Sequence, residues 1–239
     1  MEVDILAFAP HPDDAELGAG GTLARHAAVG YRVGVIDLTR GEMANNGTPE
    51  ERLKEVSEAA KILGLAIRDN LGLPDLGLQV SREQVDRLVE AIRRYRPAVV
   101  LAPYWADHHP DHRATAHLVD RACFLSGLFR YPSPGVPHRP RRLVYYFVGA
   151  LPVEPSFIVD VTSHYSLKTA SLLAHRSQFA PPGTPLEEGG VTRPGPLNAP
   201  GFLHLIESRD RYLGSLVGGI FGEGFYTRDR ISVDDLFDL

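Results

Sequence analysis

The sequence predicts an α/β fold: a Rossmann-like, mostly parallel sheet flanked by helices on both faces, with a smaller irregular C-terminal part. Short apolar runs alternate with amphipathic segments through the first half of the chain. The run 98–102 is apolar without interruption, as is typical of a parallel strand covered on both faces. Four successive strand–helix units favour right-handed crossovers within one sheet.

Apolar runs bounded by turn residues define the predicted strands, which are 3–9, 31–38, 66–71, 98–102, 143–148 and 157–161. Amphipathic periodicity and cap signals define the predicted helices, which are 16–29, 49–64, a segment opening after 81, 113–125, 163–177 and 204–217. Thr48 and Ser81 each begin a capping box, and Pro49 occupies a first helical position. The proline- and glycine-rich segment 179–201 is predicted to be a long surface loop, as a substrate lid or an oligomer contact.

Composition limits the class of protein. The chain has 239 residues, which fits a single domain over 1–239. Its 30 acidic and 25 basic side chains give a net charge of −5, which disfavours a nucleic-acid partner. We expect no membrane partner, because no apolar run approaches the ~20 residues of a membrane span. One cysteine, Cys123, allows no internal disulfide, and no basic segment precedes the first strand, so we expect a cytoplasmic protein.

Two loops carry the residues with chemistry. One follows the first predicted strand and holds His11, Asp13 and Asp14. The other follows the fourth predicted strand and holds His109, Asp111 and His112. Ligands bind beyond the carboxyl ends of the strands in such sheets, so we expect the two loops to meet there. Imidazoles and carboxylates are the donors of a catalytic zinc site, in which three protein ligands leave one position for water.

The spacing leaves three questions open. Asp13 and Asp14 are adjacent, and one can bind the ion while the other accepts a proton from water, but spacing does not say which. Either loop could instead cap the helix that follows it, with Asp14 capping a helix from Glu16. His108 is a rival ligand, because it lies four residues before His112. Pro110 disfavours a helix through both.

Other residues have simpler interpretations. Gly18, Gly20 and Gly21 imitate a dinucleotide-binding loop but fall within the predicted first helix, where they suit close packing of the helix on the sheet. Cys123 is expected to be a buried, unreactive thiol. The basic segment 130–142 is either a solvated loop or a contact for a substrate carboxylate.

The sequences of the two loops resemble those of a known family. The stretches 11–16 (HPDDAE) and 109–112 (HPDH) are similar to those of the LmbE/PIG-L family of zinc-dependent N-acetylglucosaminyl deacetylases. The similarity covers nearly the whole chain and is closest to the branch that acts on N-acetylglucosaminyl-malate in bacillithiol biosynthesis. The stretches that resemble this branch are 37–42, 46–48, 73–75, 102–104 and 175–179.

The resemblance assigns roles to the two loops. It implies one zinc ion per chain, with another divalent metal as the alternative, bound by His11, Asp14 and His112. It implies that Asp13 is the general base and later the acid that protonates the leaving amine. His109 is expected to stabilise the oxyanion as a cation, and Asp111 is expected to orient that imidazole and raise its pKa.

The resemblance also bears on substrate contacts. Arg52 matches a family arginine that binds sugar hydroxyls, and Glu42 and Asp75 lie in loops that suit the same role. Gln178 matches a position typical of the branch, with no role derived from the sequence. Some relatives carry an oxyanion-assisting tyrosine where this chain has Asp107; an ionised aspartate cannot donate, so we exclude it from that role.

These interpretations lead to one functional expectation. The chain is expected to hydrolyse the N-acetyl group of an N-acetylglucosamine conjugate, most specifically N-acetylglucosaminyl-malate, releasing acetate and an amine. A chitooligosaccharide or an inositol conjugate is the alternative substrate. Family resemblance also predicts a homo-oligomer, a trimer or a hexamer. The competing classes are a nucleotide-binding module and a sugar-binding protein with a structural metal, the latter disfavoured because structural zinc favours several cysteines.

Overall fold

The computed structural model describes residues 2–149, 153–232 and 235. Its strands are β1 (Ile5–Ala9), β2 (Val33–Asp37), β3 (Ile67–Asn70), β4 (Val99–Pro103), β5 (Arg142–Tyr146), β6 (Phe157–Asp160) and β7 (Gly222–Tyr226). Its α-helices are α1 (Asp14–Ala28), α2 (Pro49–Ile62), α3 (Arg82–Tyr95), α4 (Pro110–Ser126), α5 (Tyr165–Ala174), α6 (Arg176–Phe179) and α7 (Phe202–Leu216). A short 3-10 turn, Thr162–His164, precedes α5.

The strands form one seven-stranded sheet in the order β3-β2-β1-β4-β5-β7-β6. The first five strands in that order are mutually parallel, whereas β7 pairs antiparallel with both β5 and β6. The predicted fold class is therefore confirmed. Chain order reverses between β1 and β4, so the crevice at their carboxyl ends is the topological switch point where such sheets bind ligands.

The capping signals explain where two helices begin. Thr48 accepts a hydrogen bond from the Glu51 backbone, and the Glu51 side chain accepts one from the Thr48 backbone, which completes the predicted capping box. Ser81 likewise accepts from the Gln84 backbone N–H, but the Gln84 side chain accepts from the Gln79 N–H instead. The second box is therefore only half formed.

Apolar side chains cover both faces of the sheet. One cluster packs α3 and α4 against the sheet, with Phe8, Leu88 and Leu118 buried in it. The other packs α1, α5 and α7 on the opposite face and includes Leu17 and Leu172. Burial on both faces explains why the central strands are uniformly apolar.

Helix α1 lies unusually close to its neighbours. A Cβ added at Gly18 would fall 2.2 Å from the Tyr146 ring, and one at Gly21 would fall 2.8 Å from Val161. The predicted packing role of these glycines is confirmed. Gly18, Gly20 and Gly21 are helical and buried, so they form no dinucleotide-binding loop.

Three sequence predictions need correction. Strand β7 was not predicted, and the single helix predicted over 163–177 is divided among the 3-10 turn, α5 and α6. The basic segment 130–142 lies between the end of α4 and the start of β5, at the amino edge of the parallel strands. It is therefore on the opposite edge from the switch point, and none of its residues lines the cavity described below, which favours the solvated loop. No helix among the described residues combines the length and apolarity needed to cross a bilayer.

Candidate active site

The loops that follow β1 and β4 meet at the switch point around a cavity of about 380 Å³. That volume lies within the range of small-molecule sites. The loops after β2 and β3 and the segment before α7 complete its wall. The lining residues include His11, Asp13, Asp14, Met43, Asn45, Asn46, Arg52, Asp75, Leu76, Asp107, His108, His109, His112, Val148, Gln178, Pro196, Leu197 and Phe202.

The three predicted metal ligands converge at the floor of this cavity. Asp14 Oδ2 lies 3.0 Å from His11 Nδ1 and 3.4 Å from His112 Nε2. In a tetrahedral zinc site with bonds of about 2.0 Å, neighbouring donor atoms lie about 3.3 Å apart. These two distances are of that size, but Asp14 belongs to neither of the groups of described residues whose donor atoms all lie within 4.8 Å of one another.

Two further carboxylates face the outer nitrogen of His11. Its Nε2 lies 3.1 Å from Asp75 Oδ1 and 3.3 Å from Asp111 Oδ2. Similarly, His112 Nδ1 lies 3.1 Å from Asp107 Oδ2. Carboxylates in this position fix the tautomer and orientation of metal-binding imidazoles. Sequence reasoning missed this arrangement, although Asp107 lies within the same loop as His112.

Electrostatics also suit a cation. Burial alone would lower the pKa of His11 and of His112, but the surrounding carboxylates raise these pKa values to about 12 and about 9. Burial alone would raise the pKa of Asp14, yet the two imidazoles hold it well below its ordinary value. The carboxylates thus favour positive charge at this position. An ion bound here would displace the imidazole protons, because metal-binding imidazoles must be neutral.

Other donors are close enough to contribute. His11, His109 and His112 have donor atoms within 4.8 Å of one another, and so do His11, Asp75 and Asp111. The side chain of His108, in contrast, is 92% exposed and points to Asp107, with Nδ1 3.2 Å from Oδ1. His108 is therefore separated from this cluster of donors.

Asp13 has an unusual backbone and a buried carboxylate. It occupies the N-cap position of α1 with a φ of 112°, in the region that glycine favours, and makes no side-chain capping bond. Instead, its Oδ2 lies 3.3 Å from the Arg52 guanidinium. Burial raises the pKa of Asp13 to about 7, against the opposing effect of Arg52. Strain of this kind is common at functional sites, and a pKa near neutrality suits a proton acceptor.

His109 and Asp111 differ from expectation. The Asp111 backbone N–H donates to His109 Nδ1 at 3.2 Å, so His109 caps α4 and must be neutral with its proton on Nε2. Burial and the neighbouring His112 lower the His109 pKa, which also favours the neutral imidazole. The Asp111 carboxylate accepts from the Leu76 backbone at 2.8 Å and faces His11. The Asp111 charge raises the His109 pKa, as expected, but burial and His112 outweigh it; the catalytic roles predicted for the two residues stay predictions.

The predicted substrate-binding residues fall into two groups. Arg52 and Asp75 line the cavity, although Arg52 is buried and donates to the backbone oxygens of Gly41 and Pro12 at 3.0 and 2.7 Å. Glu42 is absent from the described cavity lining; its carboxylate accepts from the Asp75 backbone at 2.9 Å and braces one loop against the other. Contact between Glu42 and a substrate is therefore not supported.

Gln178 and Cys123 also have defined places. Gln178 lines the cavity, and its amide donates to the Asn46 backbone oxygen and to Ser177 Oγ, each at 2.8 Å. Cys123 packs against the core cluster of α3 and α4, and burial raises the pKa of its thiol to about 12. An unreactive thiol is the consequence.

Comparison with known proteins adds independent information. Residues 6–123 match the family model described as PIG-L, GlcNAc-PI de-N-acetylase. Diacetylchitobiose deacetylase from Thermococcus kodakarensis is 30% identical over 190 residues, covering 73% of this chain and 70% of that protein. A probable N-acetyl-alpha-D-glucosaminyl L-malate deacetylase from Bacillus cereus is 28% identical over 192 residues, covering 74% of this chain and 84% of that protein.

A solved structure agrees with the fold over almost its full length. The crystal structure of a conserved protein from Thermus thermophilus has a TM-score of 0.87 and 44% identity, and the match covers 98% of each chain. The motifs that suggested the family lie within the matched region and meet at one cavity. This chain belongs to the PIG-L family of deacetylases.

Proposed function

We propose that this chain hydrolyses the N-acetyl group of an N-acetylglucosamine conjugate, releasing acetate and the free amine. The observation that carries the proposal is the set of donors on the cavity floor, where Asp14 lies between the His11 and His112 imidazoles with Asp13 beside them. This arrangement supplies a metal site and a separate proton acceptor, and hydrolysis of an unactivated amide requires both.

The proposed metal is zinc, held by His11, Asp14 and His112. When bound, such an ion lowers the pKa of a coordinated water and polarises a carbonyl oxygen. Asp75 and Asp111 face the outer nitrogen of His11, and Asp107 faces that of His112, so these carboxylates would orient the two imidazoles for the ion.

Proton transfer is assigned to Asp13. Its carboxylate takes a proton from water as the water oxygen bonds to the acetyl carbon, and it returns that proton to the nitrogen as the C–N bond breaks. The buried Arg52 fixes the carboxylate and limits its rotation. Since burial places the pKa of Asp13 near 7, the carboxyl can accept and release a proton at neutral pH.

We assign to His109 the stabilisation of the negative charge that develops on the carbonyl oxygen. Because its Nδ1 accepts the Asp111 N–H, its Nε2–H is free to donate to that oxygen as negative charge develops. The role expected from the family is thus kept, with a neutral donor in place of a cation.

For the aglycone we propose malate, as in bacillithiol biosynthesis. The support comes from the branch-like stretches in the sequence and from the Bacillus cereus relative. A chitooligosaccharide, supported by the Thermococcus relative, and an inositol conjugate are the alternatives. The donors on the cavity floor suit all three, because they act on the shared acetamido group.

The test is a substrate panel with the zinc-loaded protein, measuring amine release. The panel contains N-acetylglucosaminyl-malate, N,N'-diacetylchitobiose and an N-acetylglucosaminyl-inositol. Turnover is expected, with the largest kcat/KM for the malate conjugate. Preference for another member overturns the aglycone assignment alone, whereas no turnover with any member overturns the deacetylase proposal.

We also propose a homo-oligomer, a trimer or a hexamer, on the family resemblance. Helix α7 leaves Leu205, Tyr212 and Leu216 more than half exposed along one side, which suits burial against another copy. Light scattering coupled to size exclusion tests this directly, and a monomer would overturn it.

A further inference from the structure

One side of the cavity is formed by a segment far from the metal ligands in sequence. Within the long loop 179–201, residues 193–198, which we name the wall segment, contribute Gly195, Pro196 and Leu197 to the cavity lining. The segment has no regular secondary structure and contains two prolines. Its position therefore depends on contacts made by its backbone.

A single buried side chain makes the central contacts. Asn46, which follows β2 and is 7% exposed, donates from Nδ2 to the Arg193 oxygen at 2.9 Å. Its Oδ1 accepts from the Arg193 N–H at 2.7 Å. The amide thus reproduces the paired N–H and C=O contacts that two antiparallel strands exchange. Both polar atoms of the side chain are engaged by one residue of the wall segment.

Neighbouring residues support this pairing from both sides. Asn198 donates to the Arg193 oxygen at 3.0 Å and accepts from the Gly195 N–H at 2.7 Å, which folds the wall segment on itself. On the other side, Gln178 donates to the Asn46 backbone oxygen at 2.8 Å. Asn46 therefore joins the loop after β2, α6 and the wall segment.

The same long loop is attached at a second point. The Glu188 N–H donates to Glu51 Oε1 at 2.8 Å, and Thr48 Oγ1 donates to Glu188 Oε2 at 2.8 Å, at the start of α2. This attachment holds the loop tip, which lies outside the cavity lining. The Asn46 contacts hold the part that lines it.

We propose that Asn46 is a positioning residue that fixes the wall segment and thereby sets how tightly the substrate fits. This inference rests on the proposed deacetylase function and adds a residue to which neither the sequence nor the family resemblance gives a role. Asn46 acts through Arg193, since both of its amide atoms are occupied there.

The test variant is Asn46→Asp, which keeps the size of the side chain. It retains an acceptor for the Arg193 N–H but replaces the donor by an oxygen facing the Arg193 oxygen. We expect KM for the best substrate of the panel to rise about tenfold, equivalent to about 1.4 kcal/mol of binding. We expect kcat to stay within about threefold and metal content to stay unchanged.

The split between KM and kcat separates positioning from simple destabilisation. A variant that merely unfolds in part loses active molecules, which lowers kcat and leaves KM unchanged. A KM within twofold of the wild-type value, at full metal content, overturns the proposal. The matched control is Thr184→Val, which removes a 2.7 Å hydrogen bond to the Pro181 oxygen in the same loop, outside the cavity lining. Its KM is expected to be unchanged.

Hydrogen exchange supplies a readout that needs no turnover. In Asn46→Ala, which removes the acceptor of the Arg193 N–H as well as the donor, that N–H is expected to exchange at least about tenfold faster than in the wild type, and unchanged exchange overturns the proposal. If the wild type deacetylates no substrate, the proposed function fails while this measurement still tests the Asn46 contacts. If the wild type is active and the variants match it in KM and exchange, only the inference fails.

Discussion

Two buried clusters in this protein each combine carboxylates with cationic side chains. They differ in whether the number of carboxylates equals the number of cations. At the cavity floor, Asp14, Asp75, Asp107 and Asp111 surround the imidazoles of His11 and His112. On the far side of α1, the fully buried Lys168 lies 2.7 Å from Asp210 and 2.8 Å from Glu223. The first cluster opens onto a cavity, and the second is closed to solvent.

The second cluster is balanced within the protein. Arg209 adds a second cation beside Asp210 at 2.9 Å, and Glu223 accepts from the backbone N–H groups of Gly21 and Thr22. The first cluster has more carboxylates than cations, and its imidazoles bind protons strongly. A buried cluster with equal numbers of cations and carboxylates therefore joins elements of the fold. A cluster with an excess of carboxylates that faces a cavity suits a cationic ligand.

The largest effect is expected from Asp13→Ala. Removing the proton acceptor should lower kcat/KM on the order of 10³–10⁴-fold, or about 4–5.5 kcal/mol, because no other carboxylate is assigned that task. Metal content, measured by atomic absorption, should remain that of the wild type. Asp13→Asn is the isosteric companion and should behave alike. Activity within tenfold of wild type would show that another group accepts the proton.

Lys168→Met is expected to change a free energy by a similar amount, but in unfolding and not in catalysis. The change leaves Asp210 and Glu223 buried with one cation fewer, at a cost of about 3–5 kcal/mol in the free energy of unfolding. Urea unfolding measures it, and kcat per folded molecule should not change. The control is Lys61→Met, which removes an exposed pair with Glu58 and should cost less than about 1 kcal/mol. Equal losses in the two variants would contradict the distinction between the clusters.

A smaller effect, on metal affinity, is expected from Asp111→Asn. The amide oxygen can still accept from the Leu76 N–H, but the negative charge facing His11 is lost. Affinity for zinc should fall about 10–100-fold, as measured by competition with a chelator. Asp120→Asn, at an exposed pair with Arg228, provides the control. An unchanged affinity would mean that the Asp111 carboxylate does not support the imidazole.

The smallest effect concerns acid stability of the metal-free protein. Glu16 is buried against Arg68 at 2.6 Å; burial alone would raise its pKa, but Arg68 lowers it from 4.5 to about 2. Because the folded pKa is depressed, the ionised group stabilises the protein above pH 4.5, and this contribution is lost as the pH falls towards 2.

The companion variant for this prediction is Glu16→Gln. Buried Asp37 contacts the same arginine, and its pKa is raised, so the change in total stability is the sum of opposing parts. The difference in unfolding free energy between wild type and Glu16→Gln isolates the Glu16 part. Between pH 4.5 and pH 3.5 the wild type should lose about 1 kcal/mol more unfolding free energy than the variant does. A constant difference would refute the assignment.

Much of this site could be predicted from the sequence, for a physical reason. His11 and His112 are 101 positions apart, but each follows the carboxyl end of a parallel strand, and β1 and β4 are neighbours. Knowing which strand each loop follows is therefore enough to predict that the two loops meet. The helix starts at Thr48 and Ser81 are equally local, since each depends on a side chain bonding to a backbone group three residues away.

The parts that could not be predicted depend on distant contacts. Strand β7 contains two glycines in five residues, a weak strand signal, and is held in the sheet by β5 and β6 on its two sides. The direction of the Asp111 carboxylate depends on Leu76, whose φ of 58° turns its N–H towards that carboxylate from another loop. Neither the pairing of β7 nor the contact between Leu76 and Asp111 can be predicted from the residues 109–112.

The close packing of α1 has a consequence for catalysis. The helix begins at Asp14, and Gly18 lies one turn further along, against the Tyr146 ring. Tyr146 is in turn anchored to β1 by a 2.9 Å hydrogen bond to the Phe8 oxygen. A methyl group at Gly18 would push the helix away from the sheet and carry Asp14 away from His112. The absence of a side chain at Gly18 thus helps to set the distance between Asp14 and His112, two residues of the proposed metal site.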